Sequence, residues 1–187
     1  MNLNEVAWRP PVIETERLVL RGYELDDAAA IYAYASDPEV TRYMAFDPSR
    51  SIDDVHAYLN DRVAPQYERQ ELTYVLALRQ EPGVVIGGIG VLWQPRAHKV
   101  LELGYILGKA HWGHGYVPEA SRALMRFAFE TTNAARIFAP IFAPNAKSRR
   151  AAEKAGLTFE GIQRSALEHR GQRWDEAFYA VLRDEFR

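Results

Sequence analysis

Residues 111–120 read HWGHGYVPEA and form a glycine-containing stretch between a predicted strand and a predicted helix. Gly113 and Gly115 carry no Cβ atom, so the backbone can turn tightly here and approach a ligand closely. Pro118 suits the first turn of a helix, where its missing N–H leaves no internal hydrogen bond unmade. No Ser, Thr, Asp or Asn stands just before this helix to cap it. Its first N–H groups are therefore predicted to be available to the phosphates of a ligand.

The spacing of these glycines does not by itself identify a nucleotide-binding motif. A G-x-G-x-x-G pattern would need glycine at Pro118, and a P-loop would need Gly-Lys-Ser/Thr at the helix start. On the G-x-G spacing alone, a turn that binds no ligand is the commoner interpretation. His111 and His114 are predicted to be solvent-facing loop residues, because no third metal ligand lies nearby in the sequence. We therefore predict no metal site.

The pattern of apolar residues around this stretch predicts the order β-α-α-β-β-β-α-β-α-β-β. The predicted strands are residues 17–23, 72–79, 84–93, 100–107, 135–142, 159–168 and 174–182, and the predicted helices are 25–35, 51–63, 118–131 and 145–155. The second helix is expected to end before Pro65, and Glu81-Pro82-Gly83 is expected to be a turn. Short connections within residues 72–107 predict an antiparallel meander. Together these elements predict an α/β (α+β) fold with a mixed, mostly antiparallel central sheet and helices on both faces.

Length and composition predict the broad class of protein. The chain has 187 residues, which predicts one domain over 1–187 with an irregular leader over 1–11. Lys and Arg number 23 against 25 Asp and Glu, so the basic excess typical of a nucleic-acid binder is missing. The chain has no cysteine, which excludes disulfides and a cysteine nucleophile. The apolar run 84–93 is too short to span a bilayer, and the start lacks a signal-peptide pattern, so we expect a soluble cytoplasmic protein with no membrane partner.

Several motifs, taken together and in order, resemble those of one enzyme family. Residues 101–129 resemble the coenzyme-binding motif of the GNAT superfamily of N-acetyltransferases, most closely the branch that acetylates the N-termini of ribosomal proteins. That branch carries E-x-G-Y, W/Q-G-x-G-Y/F-A-T-E-A, N-x-x-S and E-K-x-G-F, which resemble residues 102–105, 112–120, 145–148 and 153–157 here. The resemblance extends over roughly residues 12–187. Trp112 and Val117 depart from the general superfamily motif Q/R-x-x-G-x-G/A.

The resemblance implies acetyl-CoA as co-substrate and a primary amine as acceptor. It implies that the backbone of Tyr105, Ile106 and Leu107 pairs with the pantetheine arm. It also implies that backbone N–H groups hold the pyrophosphate along a loop made of Trp112, Gly113, His114, Gly115, Tyr116 and Val117. Asn145 would hold the coenzyme, and Ser148 would give a proton to the leaving sulfur. For Asn145 and Ser148 the structural alternative is a helix cap with a polar first turn.

The general base is less well defined by the sequence. Glu102 lies on the strand that the resemblance places beside the coenzyme, and it is the first candidate to deprotonate the amine, directly or through water. Its structural alternative is a solvated strand residue or an ion-pair partner. Glu168 is a rival, but alignment with ribosomal-protein acetylases places Leu167 at the position of their carboxylate. An offset of one residue along a strand changes the face to which a side chain points.

Two further groups of residues have open interpretations. Lys147, Arg149 and Arg150 form a basic run that either faces solvent or contacts the 3′-phosphate of the coenzyme. Tyr43 and Phe46 lie between the first two predicted helices and are candidates for lining an acceptor pocket.

The favoured acceptor, from the resemblance, is the N-terminal amine of a protein or peptide. A small-molecule acceptor such as a polyamine, an amino acid or an antibiotic is the second alternative, and excess acid in the acceptor cleft would favour the polyamine. A catalytically silent acyl-CoA sensor is the third. A homodimer is compatible with all three.

Overall fold

The computed structural model describes residues 2–187. Its strands are β1 Ile13–Glu14, β2 Leu18–Arg21, β3 Leu72–Leu78, β4 Glu81–Gln94, β5 Val100–Leu107, β6 Arg136–Phe142, β7 Thr158–His169 and β8 Gln172–Leu182. Its α-helices are α1 Ala28–Ala35, α2 Ile52–Tyr58, α3 Ala64–Glu68, α4 Tyr116–Thr131 and α5 Ala146–Ala155. Short 3₁₀ turns and one π-helical turn connect several of these elements.

The strands form a sheet of eight in the order β1-β2-β3-β4-β5-β6-β8-β7. The β5–β6 pair is parallel, and its pairing runs from Val100↔Arg136 to Glu102↔Phe138. The pairs β1–β2, β2–β3, β6–β8 and β7–β8 are antiparallel. The predicted mixed, mostly antiparallel sheet flanked by helices is therefore confirmed.

The chain divides into two compact units. The first contains the chain as far as Gly90 together with Tyr105–Tyr116, and the second contains Val91–Gly104 and Val117–Arg187. The apolar core of the first unit includes the leader, because Leu3 is fully buried within a 3₁₀ turn over Leu3–Glu5. In the same core the buried hydroxyl of Tyr67 accepts a hydrogen bond from the Tyr23 N–H and donates one to the Thr73 carbonyl.

In the second unit, side chains alternate between a buried and a half-exposed face of the sheet. On β6 the residues Ile137, Ala139 and Ile141 are buried, whereas Arg136 and Phe138 are partly exposed. This alternation follows from the period of two along a strand. We refer to the side that carries Arg136 and Phe138 as the half-exposed face.

Two predicted boundaries are wrong for identifiable reasons. The second helix continues beyond Pro65 to Glu68, because a π-helical turn at Leu59–Val63 precedes the proline and Pro65 then lies in the first turn of α3. The expected turn at 81–83 is part of β4, and the chain instead turns at residues 79–80. The N–H of Arg79, the first residue of that turn, donates to the Arg17 carbonyl at 2.9 Å and so extends the pairing of β2 with β3 by one residue.

Candidate active site

The glycine-containing loop of the first unit joins the end of β5 to the start of α4. Gly113 and Gly115 have φ angles of +83° and +80°, in the left-handed region that favours glycine. The indole N–H of Trp112 donates to the Leu107 carbonyl at 2.7 Å, which ties the loop to the last residue of β5. Trp112 therefore makes a side-chain hydrogen bond even though it is neither Gln nor Arg. The helix begins at Tyr116, two residues before the predicted start at Pro118.

The histidines of the loop contact aromatic rings. The His114 ring stacks on Tyr116 with centroids 5.7 Å apart, and the His111 ring lies 6.4 Å from the same tyrosine. Burial, helped by the nearby His114, lowers the pKa of His111. Within residues 2–187, no cluster of three or more potential metal-ligating side chains is present.

Glu102 lies on the half-exposed face of the second unit, since its register partner is Phe138. Its carboxylate accepts a hydrogen bond from the side-chain amide of Gln94 at 2.5 Å. Burial raises the pKa of Glu102, and the Gln94 hydrogen bond opposes that rise. Glu102 is thus a partly desolvated carboxylate held by an amide.

Glu176 is a second carboxylate of this unit, and the sequence analysis did not identify it. It pairs with Phe142 in the register of β6 and β8 and is half-buried. Burial raises the pKa of Glu176, and the charge of Glu102 raises it further. The two carboxylates therefore influence each other electrostatically, although 74 residues separate them in the sequence. No local motif marks such a pair.

Asn145 and Ser148 lie at the start of α5. The side-chain oxygen of Asn145 accepts a hydrogen bond from the Ser148 N–H at 3.2 Å, so Asn145 is the N-cap of this helix. The three residues of the neighbouring basic run differ in their exposure. Arg149 turns inward and donates to the Tyr179 hydroxyl at 3.0 Å, whereas Lys147 and Arg150 are exposed.

The remaining candidates are more exposed. The Glu168 side chain is 64% exposed and lies 3.6 Å from Arg173 in an ion pair, while the adjacent Leu167 is less exposed. In the first unit, Tyr43 is partly buried beside the Arg42 guanidinium, and Phe46 is 41% exposed.

A groove lies on the half-exposed face of the second unit and has a volume of about 510 Å³. Phe138 and Phe178 lie in its lining and stack on each other, with ring centroids 6.0 Å apart and planes 6° from parallel. Arg136 and Glu160 also line it and form a bidentate ion pair. The charges in the lining thus balance, and two stacked aromatic rings supply part of its apolar surface.

Comparison with known proteins identifies the family. A family model described as an acetyltransferase (GNAT) domain matches residues 17–158, which is more than half of the chain. The protein therefore belongs to the GNAT acetyltransferases. It is an acetyl-CoA-dependent N-acyltransferase with acetyl-CoA as co-substrate, as the sequence predicts.

Similar proteins cover nearly the whole chain. The uncharacterized N-acetyltransferase YoaA of Bacillus subtilis (strain 168) is 30% identical over 173 residues, which cover 92% of this chain and 97% of YoaA. The N-acetyltransferase p20 of Bacillus licheniformis is 32% identical over 175 residues, covering 92% and 96%. A GNAT-family acetyltransferase from Bacillus anthracis has a TM-score of 0.84 at 27% identity, and the match covers 94% of this chain and all of that one.

Two solved structures that contain coenzyme share the fold at lower identity. RimL, a ribosomal L7/L12 alpha-N-protein acetyltransferase in complex with coenzyme A, has a TM-score of 0.80 at 18% identity, covering 92% of this chain and 98% of RimL. The spermidine N-acetyltransferase of Vibrio cholerae, in complex with CoA and spermine, has a TM-score of 0.78 at 20% identity, covering 92% and 99%. Within residues 2–187, no helix combines the length and apolar character needed to cross a bilayer.

Proposed function

We propose that the protein transfers the acetyl group of acetyl-CoA to the N-terminal amine of a protein or peptide. The observation that carries this proposal is the placement of Glu102. A partly desolvated carboxylate with a raised pKa stands on the same face of the sheet as an aromatic groove. Two neighbours of Glu102 line that groove. They are Val100, two residues earlier on β5, and Phe138, which pairs with Glu102 in the register of β5 and β6.

The proposed coenzyme contacts are those implied by the family resemblance. The loop from Trp112 to Val117 would hold the pyrophosphate through backbone N–H groups, and its two left-handed glycines support that role. Tyr105, Ile106 and Leu107 would pair with the pantetheine arm. In support, β5 continues to Leu107 beyond its last pair with β6 at Glu102. Asn145 would contact the coenzyme in addition to capping α5.

The proposed chemistry is direct transfer. Glu102 takes a proton from the acceptor ammonium, directly or through water, because only the neutral amine has a lone pair to attack the thioester carbonyl. The new C–N bond forms as the C–S bond breaks, and the electron pair of that bond leaves on sulfur. Ser148 gives its hydroxyl proton to the thiolate and takes back, directly or through water, the second proton that the nitrogen loses as the amide forms. A carboxylate with a raised pKa is a stronger base than an ordinary surface carboxylate.

The groove supports a peptide acceptor. Its volume of about 510 Å³ lies within the range of ligand pockets, roughly 300–1,000 Å³. Its paired Arg136 and Glu160 give no excess of acid, and the stacked rings of Phe138 and Phe178 offer apolar surface to the side chains that follow an N-terminal amine. The likeness to RimL, an acetyltransferase of protein N-termini, agrees with this choice.

A polyamine acceptor is the second candidate, and one observation favours it. Glu102 and Glu176 are two mutually interacting carboxylates, and a pair of this kind attracts a multiply charged cation. The spermidine N-acetyltransferase that shares the fold is consistent with it. The balanced charge of the groove favours the peptide instead.

Three wider features belong to the same proposal. Residues 1–187 act as one acetyltransferase domain, which the family match over parts of both units supports. The protein works in the cytoplasm, where acetyl-CoA is supplied. A homodimer is compatible with the proposed reaction and is tested by light scattering.

The proposal is tested by incubating the protein with acetyl-CoA and a panel of N-terminal peptides and free amines. Thiol release, together with mass spectrometry of the acetylated product, is the expected result. Binding of acetyl-CoA without transfer to any amine would instead indicate a silent acyl-CoA sensor.

A further inference from the structure

Arg17, just before β2, contacts the glycine-containing loop within the first unit. Its guanidinium donates to the His114 carbonyl at 2.9 Å, although 97 positions separate the two residues. The guanidinium also lies over the Tyr116 ring, 4.9 Å from the ring centre to Cζ. A Cβ atom built on Gly115 would lie 3.6 Å from one of its nitrogens. One side chain from the residue before β2 therefore contacts the loop at His114 and Tyr116 and lies beside Gly115, which stands between them.

The contact with the His114 carbonyl determines the direction of the next N–H group. That carbonyl and the N–H of Gly115 belong to one planar trans peptide unit, so they point in opposite directions. A guanidinium that holds the carbonyl toward itself thereby directs the Gly115 N–H to the other side of the loop. The stacking on Tyr116 restrains rotation of the same guanidinium, as cation–π contacts do.

We propose that Arg17 is a positioning residue for the coenzyme, and that it fixes the 114–115 peptide so that the Gly115 N–H is directed at the pyrophosphate. This inference rests on the proposed role of the loop. Arg17 acts through the loop rather than by touching the acetyl group. Its removal therefore weakens binding of ligands that carry the pyrophosphate and leaves the chemistry of the bound thioester unchanged.

The test compares Arg17→Ala, Arg17→Lys and the control Arg79→Ala, with acetyl-CoA and with S-acetylpantetheine, a thioester that lacks the pyrophosphate. Arg79 is a matched control, because it also donates to a backbone carbonyl, that of Thr15 at 2.8 Å, but does so away from the loop. Calorimetry gives Kd for each ligand, and steady-state kinetics give kcat at saturating acetyl-CoA.

We expect Arg17→Ala to raise Kd for acetyl-CoA about tenfold, the upper range for loss of one hydrogen bond. The kcat at saturation and the use of S-acetylpantetheine should stay within twofold of the original protein. Arg17→Lys should recover part of the affinity, because an ammonium donates to the same carbonyl but cannot lie flat on Tyr116. Arg79→Ala should bind acetyl-CoA as the original protein does.

Unchanged acetyl-CoA affinity in Arg17→Ala would overturn the inference and leave the proposed function intact. Equal losses with acetyl-CoA and S-acetylpantetheine would also overturn it, since they would indicate a general structural role. If the original protein bound no acetyl-CoA, the proposed function would fail together with the inference.

Discussion

At the scale of single residues, Glu102 is the side chain whose role is most open to test. Glu102→Gln keeps the size of the side chain and its hydrogen bond with Gln94 but removes the base, so kcat/KM should fall at least about tenfold. The acidic limb of the pH–rate profile should disappear as well. An N-terminal amine, with a pKa near 8, needs less help from a base than a lysine near 10.4, so the expected loss is smaller than the roughly 10²–10⁴-fold typical of a general base.

Glu168→Gln is the matched control for Glu102. Its side chain is 64% exposed and paired with Arg173, and its removal should leave both kcat/KM and the pH profile unchanged. If Glu168→Gln lost activity while Glu102→Gln kept it, the base would have to be reassigned to Glu168.

The raised pKa values also predict how stability depends on pH. Burial and the charge of Glu102 raise the pKa of Glu176 in the folded chain, so its carboxyl ionises more readily in the unfolded chain. This group therefore lowers the free energy of unfolding as the pH rises from its ordinary pKa of 4.5 through the higher folded value. Glu176→Gln should unfold at a higher temperature than the original protein at pH 7.

Thermal unfolding followed by circular dichroism between pH 4 and 8 checks this prediction. The gain of Glu176→Gln should shrink toward zero below about pH 4.5, because the carboxyl is then protonated in both states. A gain that persisted unchanged at acidic pH would show that packing, and not charge, is responsible.

Substitutions at Ser148 and Asn145 distinguish a catalytic role from a role in capping α5. Ser148→Ala should lower kcat by roughly 10²-fold, the lower end for a general acid, while acetyl-CoA affinity stays within a few-fold. Asn145→Ala should weaken acetyl-CoA binding and also reduce the free energy of unfolding by about 1 kcal/mol, because the Ser148 N–H loses its cap. Full kcat in Ser148→Ala, measured by thiol release at saturating substrate, would leave Ser148 as a residue of the helix start.

At the scale of elements, the loop between β5 and α4 carries the coenzyme proposal. Gly115→Glu strains a backbone with φ of +80° and brings a carboxylate to the guanidinium of Arg17, which contacts the loop and lies 3.6 Å from the added Cβ. We expect acetyl-CoA affinity to fall at least about tenfold in calorimetry, or roughly 1.4 kcal/mol.

Gly171→Glu is the control for backbone strain. Gly171 has φ of +72° in the β7–β8 turn, with no atom within 4 Å of the Cβ that a substitution would add. It should lose stability much as Gly115→Glu does while binding acetyl-CoA normally. Equal affinities of the two variants for acetyl-CoA would contradict the assignment of the loop.

The sequence predicts an element well where local preferences for caps and turns determine it. It predicts an element poorly where contacts between residues far apart in the chain determine it. Asn145 at the start of α5 follows from capping preferences, and the turn between the strands predicted at 159–168 and 174–182 is where the pattern places it. Pro65 was expected to end a helix, but the π-helical turn before it lets α3 continue. That continuation places Tyr67 in the core, where its hydroxyl bonds to Tyr23 and Thr73, contacts that local preference cannot reveal.

The candidate site shows the same division. The glycines of the loop and the strand that carries Glu102 can be recognised in the sequence, because each belongs to a motif of consecutive residues. Arg17 contacts the loop across 97 positions, and Glu176 is influenced by the charge of Glu102 across 74 positions. Only folding brings such residues together, so their roles become visible from the structure and not from spacing.

At the scale of the whole molecule, the strand order and the family match define the class of enzyme. What distinguishes this enzyme within the class is the amine that it acetylates. We propose that the protein acetylates a free N-terminal amine followed by uncharged residues in preference to a polyamine. This preference depends on the balanced charge and the stacked aromatic rings of the groove.

The most direct measurement of this claim is kcat/KM for three acceptors under one assay of thiol release. They are a peptide with a free N-terminus and one lysine, the same peptide with its N-terminus blocked, and spermidine. We predict that the free peptide exceeds both others by at least about tenfold, or roughly 1.4 kcal/mol in transition-state binding. Spermidine turned over as efficiently as the free peptide, or better, would contradict the claim.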